Sequence, residues 1–248
     1  MNGLSIVIPT LNEVENIPVL LGRISNSMKK SEIDYEIVFV DDHSIDGTIS
    51  AIQKLKDDYP LSFYLKKGAR GKAFSLLQGF KEAKYNVICM IDADLQYPPE
   101  EIVPMYEKMR NSGTDMILTE REDHATSKLR QLSSKVFNLA FTRLLFGFNY
   151  DTQSGLKLFR KEIVIQAKLH PSPWSFDLEF IVRALENNFK ILTHKIPFSS
   201  RYSGEAKVRI FKVTYELAKA SLKLRFDISP VKLKRGYESN LRFAERVS

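Results

Sequence analysis

Residues 86–96 read Asn-Val-Ile-Cys-Met-Ile-Asp-Ala-Asp-Leu-Gln. The apolar run Val87 to Ile91 ends in two carboxylates, Asp92 and Asp94, with the amide of Gln96 just beyond. On an extended segment, side chains two residues apart fall on one side. Two carboxylates and an amide oxygen make a hard oxygen site. It suits Mg²⁺ or Mn²⁺ held by one or two carboxylates plus substrate phosphates. Taken alone, Asp-x-Asp reads better as a strand followed by a polar turn. Two more polar clusters, Pro9-Thr10-Leu11-Asn12-Glu13 and Asp41-Asp42-His43-Ser44, also follow apolar runs. The convergence of all three favours a site.

The elements that must position these clusters alternate. Strands are predicted at Leu4–Ile8, Glu36–Val40, Leu61–Leu65, Val87–Ile91 and Asp115–Thr119. Helices are predicted at Glu15–Met28, around Ile49, Ile52 and Leu55, and at Gly71–Lys84. Pro98-Pro99-Glu100-Glu101 opens another, with proline and acids in its first turn as the helix dipole favours. This order implies a mainly parallel sheet with ligands at the carboxyl ends of its strands. The second half reads as helix Ser127–Phe146, strand Gly155–Phe159, helix Phe176–Asn187, strand Ile191–Phe198 and helix Lys207–Phe226. Residues 227–248 read as a polar, basic tail with little periodicity, mobile at the terminus.

At 248 residues, 44% apolar and 27% charged, the composition is that of an ordinary globular chain. Residues 207–248 hold 11 Lys/Arg and 4 Asp/Glu, the whole formal excess of +7. The first 206 residues carry 26 of each sign and are neutral. Nucleic acid is therefore not an expected partner; the tail is the attractive surface. No leader and no spanning helix are expected, since no stretch approaches the ~18 apolar residues a span needs. Cys89, the single cysteine, falls in a buried strand and suits a reducing cytoplasm. His43, His124, His170 and His194 lack metal-ligand spacing. Gly68-Ala-Arg-Gly-Lys72 is no Walker loop; it reads as a phosphate-attracting loop or a plain helix entry. Asp42 or Ser44 is a candidate cap for the helix opening at Thr48.

Six blocks in order resemble the family 2 glycosyltransferases with a GT-A fold. Within them the chain is most similar to the branch of dolichol-phosphate mannose synthases and polyprenyl-phosphate glycosyltransferases. The blocks are Val7–Glu13, Val40–Thr48, Gly71–Ala73, Ile91–Pro99, Asp151–Arg160 and Arg201–Lys207. The resemblance implies one α/β domain over residues 1–210, with a Rossmann-like central sheet flanked by helices. A basic amphipathic helix (207–226) and a basic tail (227–248) follow. It implies that Pro9, Thr10 and Glu13 line the base and ribose pocket and that Asp41 holds base or ribose. Asp92, Ala93 and Asp94 face the diphosphate, with Asp94 and Gln96 on the metal. Arg121, Arg201 and Lys207 surround the phosphates, and Arg130 and Ser134 hold the acceptor phosphate. Asp94, Arg121 and Arg130 are the residues it implies for catalysis. In the last block Ala206 stands where the family has serine.

The implied reaction is inverting transfer of a hexose, mannose or glucose, from GDP-mannose or UDP-glucose to a polyprenyl phosphate. The setting is the cytoplasmic face of a membrane, with anionic lipid as surface and a separate membrane subunit as a further partner. Two alternatives stay open. One transfers to a glycan hydroxyl and needs a base, Asp177 or Glu179; an ionised phosphate acceptor needs none. The other is a non-catalytic nucleotide-sugar-binding membrane adaptor. Wound at about 100° per residue, Ser127–Phe148 aligns Arg130 and Ser134 with Phe137, Phe141, Leu144, Leu145 and Phe148. That stripe suits a lipid phosphate with a trailing chain, or an ordinary core helix. Lys207–Phe226 gathers Arg209, Lys212, Lys219 and Lys223 into one arc. It reads as an interfacial helix or as a helix packed on the sheet.

Overall fold

The computed structural model describes residues 3–123, 143–170, 175–199, 202 and 210–247. Seven strands form one sheet: β1 (Gly3–Thr10), β2 (Asp34–Asp41), β3 (Leu61–Leu65), β4 (Val87–Met90), β5 (Met116–Asp123), β6 (Lys157–Arg160) and β7 (Ile191–Phe198). Their order is β3-β2-β1-β4-β6-β5-β7. Every pairing is parallel except those of β6, which runs against β4 and β5. The chain builds β1, β2 and β3 outward, then returns to the other side of β1 with β4. That reversal leaves a crevice at the carboxyl ends of β1 and β4, the usual ligand position in such sheets.

The helices are α1 (Asn16–Met28), α2 (Thr48–Lys54), α3 (Lys72–Glu82), α4 (Ile102–Ser112), α5 (Lys161–Ala167), α6 (Phe176–Glu186), α7 (Ile210–Asp227) and α8 (Pro230–Val247). Period-two alternation divides the sheet residues between two cores. Leu4, Ile6 and Ile8 face Leu20 and Ile24 of α1 and Met105 and Met109 of α4. Val7, Val38 and Val40 face Leu76 and Phe80 of α3 and Phe180 and Leu185 of α6. Burying each such side chain contributes roughly 1.5–3 kcal/mol, which holds the strand ends, and so the site, in register.

The elements of the first half fall within three residues of their expected ends, and β5 runs on to Asp123. Beyond it, three expectations need correction. The strand expected at Gly155–Phe159 begins at Lys157, and α5 follows it at once. Of the stripe expected along Ser127–Phe148, residues 124–142 lie outside the described residues. Its visible end divides: Leu144 is 76% exposed, whereas Phe148 is buried in the core. The chain leaves the helix at Gly147, at φ +78°, so Phe148 no longer follows the helical face.

The third correction is the tail. Residues 230–247 form α8, packed on α6 and β7. Its inner row is Leu233, Gly236 and Asn240, which conceals the helical period because two of the three are not apolar. A Cβ at Gly236 would lie 1.9 Å from the Leu185 carbonyl oxygen, so only glycine allows this approach. Asn240 accepts a hydrogen bond from the Ile191 N–H and donates to the Phe189 and Gly236 carbonyls at 2.9 and 3.0 Å. Tyr237 meets Tyr150 edge-on, with centroids 5.7 Å apart. The corner between α7 and α8 is fastened as well: Arg183 pairs with Asp227, and Glu186 accepts from the Ser229 N–H at 2.8 Å.

Candidate active site

Thr10 and Asp41 are register partners at the ends of β1 and β2. The fully buried Asp41 carboxylate accepts from Thr10 Oγ1 at 2.8 Å, the Ser44 N–H at 2.7 Å and Ser44 Oγ at 2.6 Å. Asn12 links the same loops, donating from its N–H to Ser44 Oγ at 2.8 Å and accepting from the Ile45 N–H at 2.9 Å. Asn12 and His43 both take left-handed backbone conformations, at φ 55° and 63°. Such residues persist where the surroundings over-determine them. Asp41, expected on base or ribose, thus spends its carboxylate on shaping the rim of the crevice. Pro9 and Glu13 are half-buried on the same rim.

No side chain caps α2, whose N-cap is Gly47 at φ +99°, and a neighbouring residue holds its first residue instead. Asp46, rather than Asp42 or Ser44, accepts from the Thr48 N–H at 3.0 Å and Thr48 Oγ1 at 2.6 Å. Its second oxygen accepts from the Val14 N–H at 3.1 Å. Thr48 Oγ1 in turn accepts from the Glu13 N–H at 2.8 Å. Asp42 instead pairs with the buried ammonium of Lys66 and accepts from the Gly71 N–H at 2.8 Å. Adjacent aspartates therefore hold different loops: Asp41 the β2–α2 turn, Asp42 the segment that opens α3.

That segment delivers Lys72, whose Nζ lies 2.6 Å from Asp92 Oδ1. Desolvation works against the charge on Lys72, but Asp92 and then Asp177 outweigh it and raise the ammonium's pKa. Asp92 stands against Gly155, where a Cβ would lie 2.3 Å from Oδ2. Tyr97 closes the same corner and packs edge-on against Phe198 at 5.1 Å. Burial, then the charge of Asp92, push its phenol up to about 12, against the pull of Arg121.

Asp94 is 6% exposed, and its Oδ1 accepts from the Gln96 N–H at 3.1 Å. Leu95 between them sits at φ 61°, an unusual conformation for a branched residue. Gln96 donates from Nε2 to the Ser199 carbonyl at 3.3 Å, which turns Oε1 away from that partner. Ser199 N–H donates back to the Gln96 carbonyl at 3.2 Å, and Tyr202 N–H to that of Asp94 at 3.3 Å. Ser199 and Tyr202 are thereby held against the carboxylate turn. Arg201 and Lys207 lie outside the described residues, as do Arg130 and Ser134.

Arg121, expected near the phosphates, meets Asp151 through Nε at 2.7 Å and a terminal nitrogen at 3.1 Å, and stacks 5.2 Å over Phe198. The candidate bases are also engaged. Asp177 pairs with the fully buried ammonium of Lys157 at 2.7 Å. Glu179 is buried, with its Oε1 2.9 Å from His170 Nδ1 and Arg183 Nε at 3.8 Å. The structure brings Thr10 to Asp41 directly and Asp92, Ala93, Asp94 and Gln96 into one turn. Sequence reasoning assigned no role to Tyr97, Asp151, Gly155 or Lys157, and placed Lys72 only in a phosphate-attracting loop or a plain helix entry. The signal for Lys72 was in view, a lysine directly after a glycine at a helix start.

The donor set fits a divalent cation shared with a ligand. Among the described residues no three His, Cys, Asp or Glu side chains converge on one point. A cage for Ca²⁺ or Zn²⁺ is therefore not built by these residues. Asp94 with Gln96, and Asp92 alongside, supply the few hard oxygens that Mg²⁺ or Mn²⁺ takes when phosphates complete its shell.

Comparison with known proteins agrees with this geometry. The model of the family described as glycosyl transferase family 2 matches residues 5–167. The dolichol-phosphate mannosyltransferase of Pyrococcus furiosus is 31% identical over 220 residues, 83% of this chain and 59% of that protein. The undecaprenyl-phosphate 4-deoxy-4-formamido-L-arabinose transferase of Proteus mirabilis is 32% identical over 218 residues, 86% of this chain and 65% of that protein. The chain thus spans roughly six-tenths of these relatives. Glucosyl-3-phosphoglycerate synthase of Mycobacterium tuberculosis, crystallised with Mn²⁺, UDP-glucose and phosphoglyceric acid, superposes with a TM-score of 0.65 at 16% identity. The match covers 92% of this chain and 81% of that one. Mannosyl-3-phosphoglycerate synthase of Rubrobacter xylanophilus gives 0.65 at 15% identity, covering 91% and 75%. At that identity these structures establish the GT-A fold alone.

Proposed function

The chain belongs to glycosyl transferase family 2, and from that premise we propose that it transfers a hexose from a nucleoside-diphosphate sugar to a polyprenyl phosphate. The observation that carries the reading is the turn Asp92-Ala93-Asp94 with Gln96, set at the reversal of the sheet beside Lys72. The donor is GDP-mannose or UDP-glucose, with its base and ribose between the loops of Thr10 and Asp41 and its diphosphate at Asp92 and Asp94. The acceptor phosphate oxygen attacks C1 from the face opposite the diphosphate. The C1–O bond to the diphosphate breaks, its electron pair leaves with the nucleotide, and the anomeric configuration inverts. Asp94 and Gln96 would hold a divalent cation, which would supply positive charge for the departing diphosphate. Arg121, Arg201 and Lys207 add cationic side chains around the phosphates, and Arg130 and Ser134 hold the acceptor. The state of the candidate bases supports a phosphate acceptor: Glu179 is committed to His170 and Arg183, and Asp177 to Lys157. An ionised phosphate attacks without proton removal.

The setting we infer is the cytoplasmic face of a membrane, reached peripherally or beside a separate membrane subunit. Among the described residues no helix is long and apolar enough to cross a bilayer. The corner of α7 and α8 leaves Leu222 49%, Phe226 89% and Val231 68% exposed. Lys219, Lys223, Lys232, Lys234 and Arg235 surround these residues along the chain. Leu224 and Ile228 pack into the core at the same corner. One side of the helix end is thus packed, and we infer that the exposed side meets the membrane; Arg209 and Lys212 of the expected basic arc lie outside the residues whose side chains are described. Apolar tips among cations suit an anionic lipid surface.

Incubation with labelled nucleotide sugars and polyprenyl phosphate, followed by lipid extraction, tests the reading. Label should enter the lipid phase with one nucleotide sugar, stop in excess chelator and return with Mn²⁺ or Mg²⁺. Asp94→Ala should fold and be inactive. Transfer only to glycan hydroxyls would overturn the acceptor assignment. Full activity in chelator would overturn the metal.

A further inference from the structure

We propose that Lys72 is an internal counter-ion of the donor site, holding Asp92 until a diphosphate arrives and then moving to that diphosphate. The inference rests on the reading of Asp92 and Asp94 as the diphosphate end of the site.

Among the described residues, three lysine–aspartate pairs lie in this part of the fold, and they are not alike. The ammonium of Lys66 on Asp42 and that of Lys157 on Asp177 are both completely buried. The side chains of Lys72 and Asp92 are 39% and 25% exposed. Asp177 is as exposed as Asp92, at 25%, so the difference lies in the lysines: Lys66 and Lys157 are sealed in and hold loops and strands, whereas Lys72 is open. The third opens where a ligand of Asp92 would approach. A half-open ion pair of this kind can exchange partners, because water and an incoming anion reach both groups. A diphosphate carries more negative charge than one carboxylate and competes well for the same ammonium.

The base of the lysine is fixed even though its tip is free to exchange. Asp42 accepts from the Gly71 N–H at 2.8 Å and is itself anchored by Lys66. Gly71 sits at φ +126°, and Lys72 is the first residue of α3. The four-carbon stem therefore pivots from a fixed point beside the carboxylate turn. Arg121, by contrast, is held by Asp151 and stacked on Phe198.

The consequence is a coupling between metal and nucleotide. While Lys72 neutralises Asp92, a cation arriving alone meets mainly Asp94 and binds weakly. A diphosphate draws Lys72 away and exposes the second carboxylate, so each ligand strengthens the other reciprocally. Sugar donor and metal then enter together, and unproductive metal binding is discouraged.

Titration of the full chain with Mn²⁺, alone and with GDP or UDP, tests this. Lys72→Met should tighten binding of Mn²⁺ alone at least fivefold. It should weaken Mn²⁺-supported nucleotide binding at least fivefold. Lys72→Gln should do the same, and Lys72→Arg should stay close to the parent. In an Asp92→Asn background the gain in Mn²⁺ affinity should vanish. Unchanged or weaker Mn²⁺ binding in both Lys72→Met and Lys72→Gln, with the parent binding nucleotide normally, overturns this inference alone. Failure of the parent to bind either nucleotide with Mn²⁺ overturns the donor-site reading and this inference with it.

Discussion

Gly155→Ala probes how tightly the site is built. An added Cβ would lie 2.3 Å from Asp92 Oδ2, 2.7 Å from its Cγ and 2.8 Å from Tyr97 Cε2. Ordinary contact begins at 3.4 Å, so the carboxylate oxygen must retreat roughly 1.1 Å. The backbone beside Gly155 cannot give way easily. Thr119 Oγ1 binds the Leu156 carbonyl at 2.7 Å and also meets Ser154 Oγ, and all three residues are buried. Asp92 is partly exposed and is the group that yields, which breaks its 2.6 Å contact with Lys72. Overpacking of this kind costs about 1–3 kcal/mol. In a chain of this size that lowers Tm by roughly 2–12 °C, at 2–4 °C per kcal/mol. The effect on function should be larger, because a displacement of about 1 Å at a reacting centre costs on the order of 100-fold in rate. Melting by circular dichroism and kcat/KM for lipid glycosylation read the two effects separately. Gly155→Ser should be at least as damaging. If Gly155→Ala melts like the parent and keeps kcat/KM within about threefold, Asp92 is not held by that contact and the reasoning fails.

Arg130→Ala should weaken use of polyprenyl phosphate and leave nucleotide-sugar binding nearly intact; equal loss of donor binding would place Arg130 in the other pocket. Neutralising Arg209, Lys212, Lys219 and Lys223 together should weaken binding to anionic vesicles while sparing activity on a short water-soluble prenyl phosphate. That binding should fall with salt, which screens surface charges over ~8–10 Å. Phe226→Ala with Val231→Ala should remove the salt-resistant fraction, about tenfold in partitioning if the Phe226 ring is inserted. Vesicle binding unchanged in both variants would move the membrane contact elsewhere, to the 127–148 segment. Burial works to raise the Asp46 pKa, but hydrogen bonds from Thr48 and Val14 prevail and hold it below the ordinary 3.8. A depressed folded pKa means that the stability Asp46 lends these loops is complete above that value. It is lost as pH falls through the lower folded pKa. Asp46→Ala should therefore be less stable than the parent at pH 7 by about 1 kcal/mol, the net worth of a hydrogen bond. The gap should narrow as the pH is lowered below 3.8; a constant gap across that range would contradict the assignment.

Much of this protein is legible in local sequence. The continuous apolar runs of β1, β2 and β4 announce strands buried on both faces, and the polar clusters after them announce the edge where ligands gather. Asp92, Asp94 and Gln96 share one short turn, so their spacing alone identifies them. Local periodicity does not reveal how distant groups are paired. The division of labour between Asp41 and Asp42, the commitment of Asp177 to Lys157 and the seating of Lys72 on Asp92 join residues 20 to 31 positions apart. The C-terminal segment shows the same limit. Its inner row uses Gly236 to approach a carbonyl and Asn240 to satisfy backbone groups of β7 and of the turn before it. Neither residue carries the apolar signal by which a packed helix is recognised in sequence. Only the tertiary structure, by bringing Leu185 and Ile191 against them, decides that this basic stretch is part of the body of the fold.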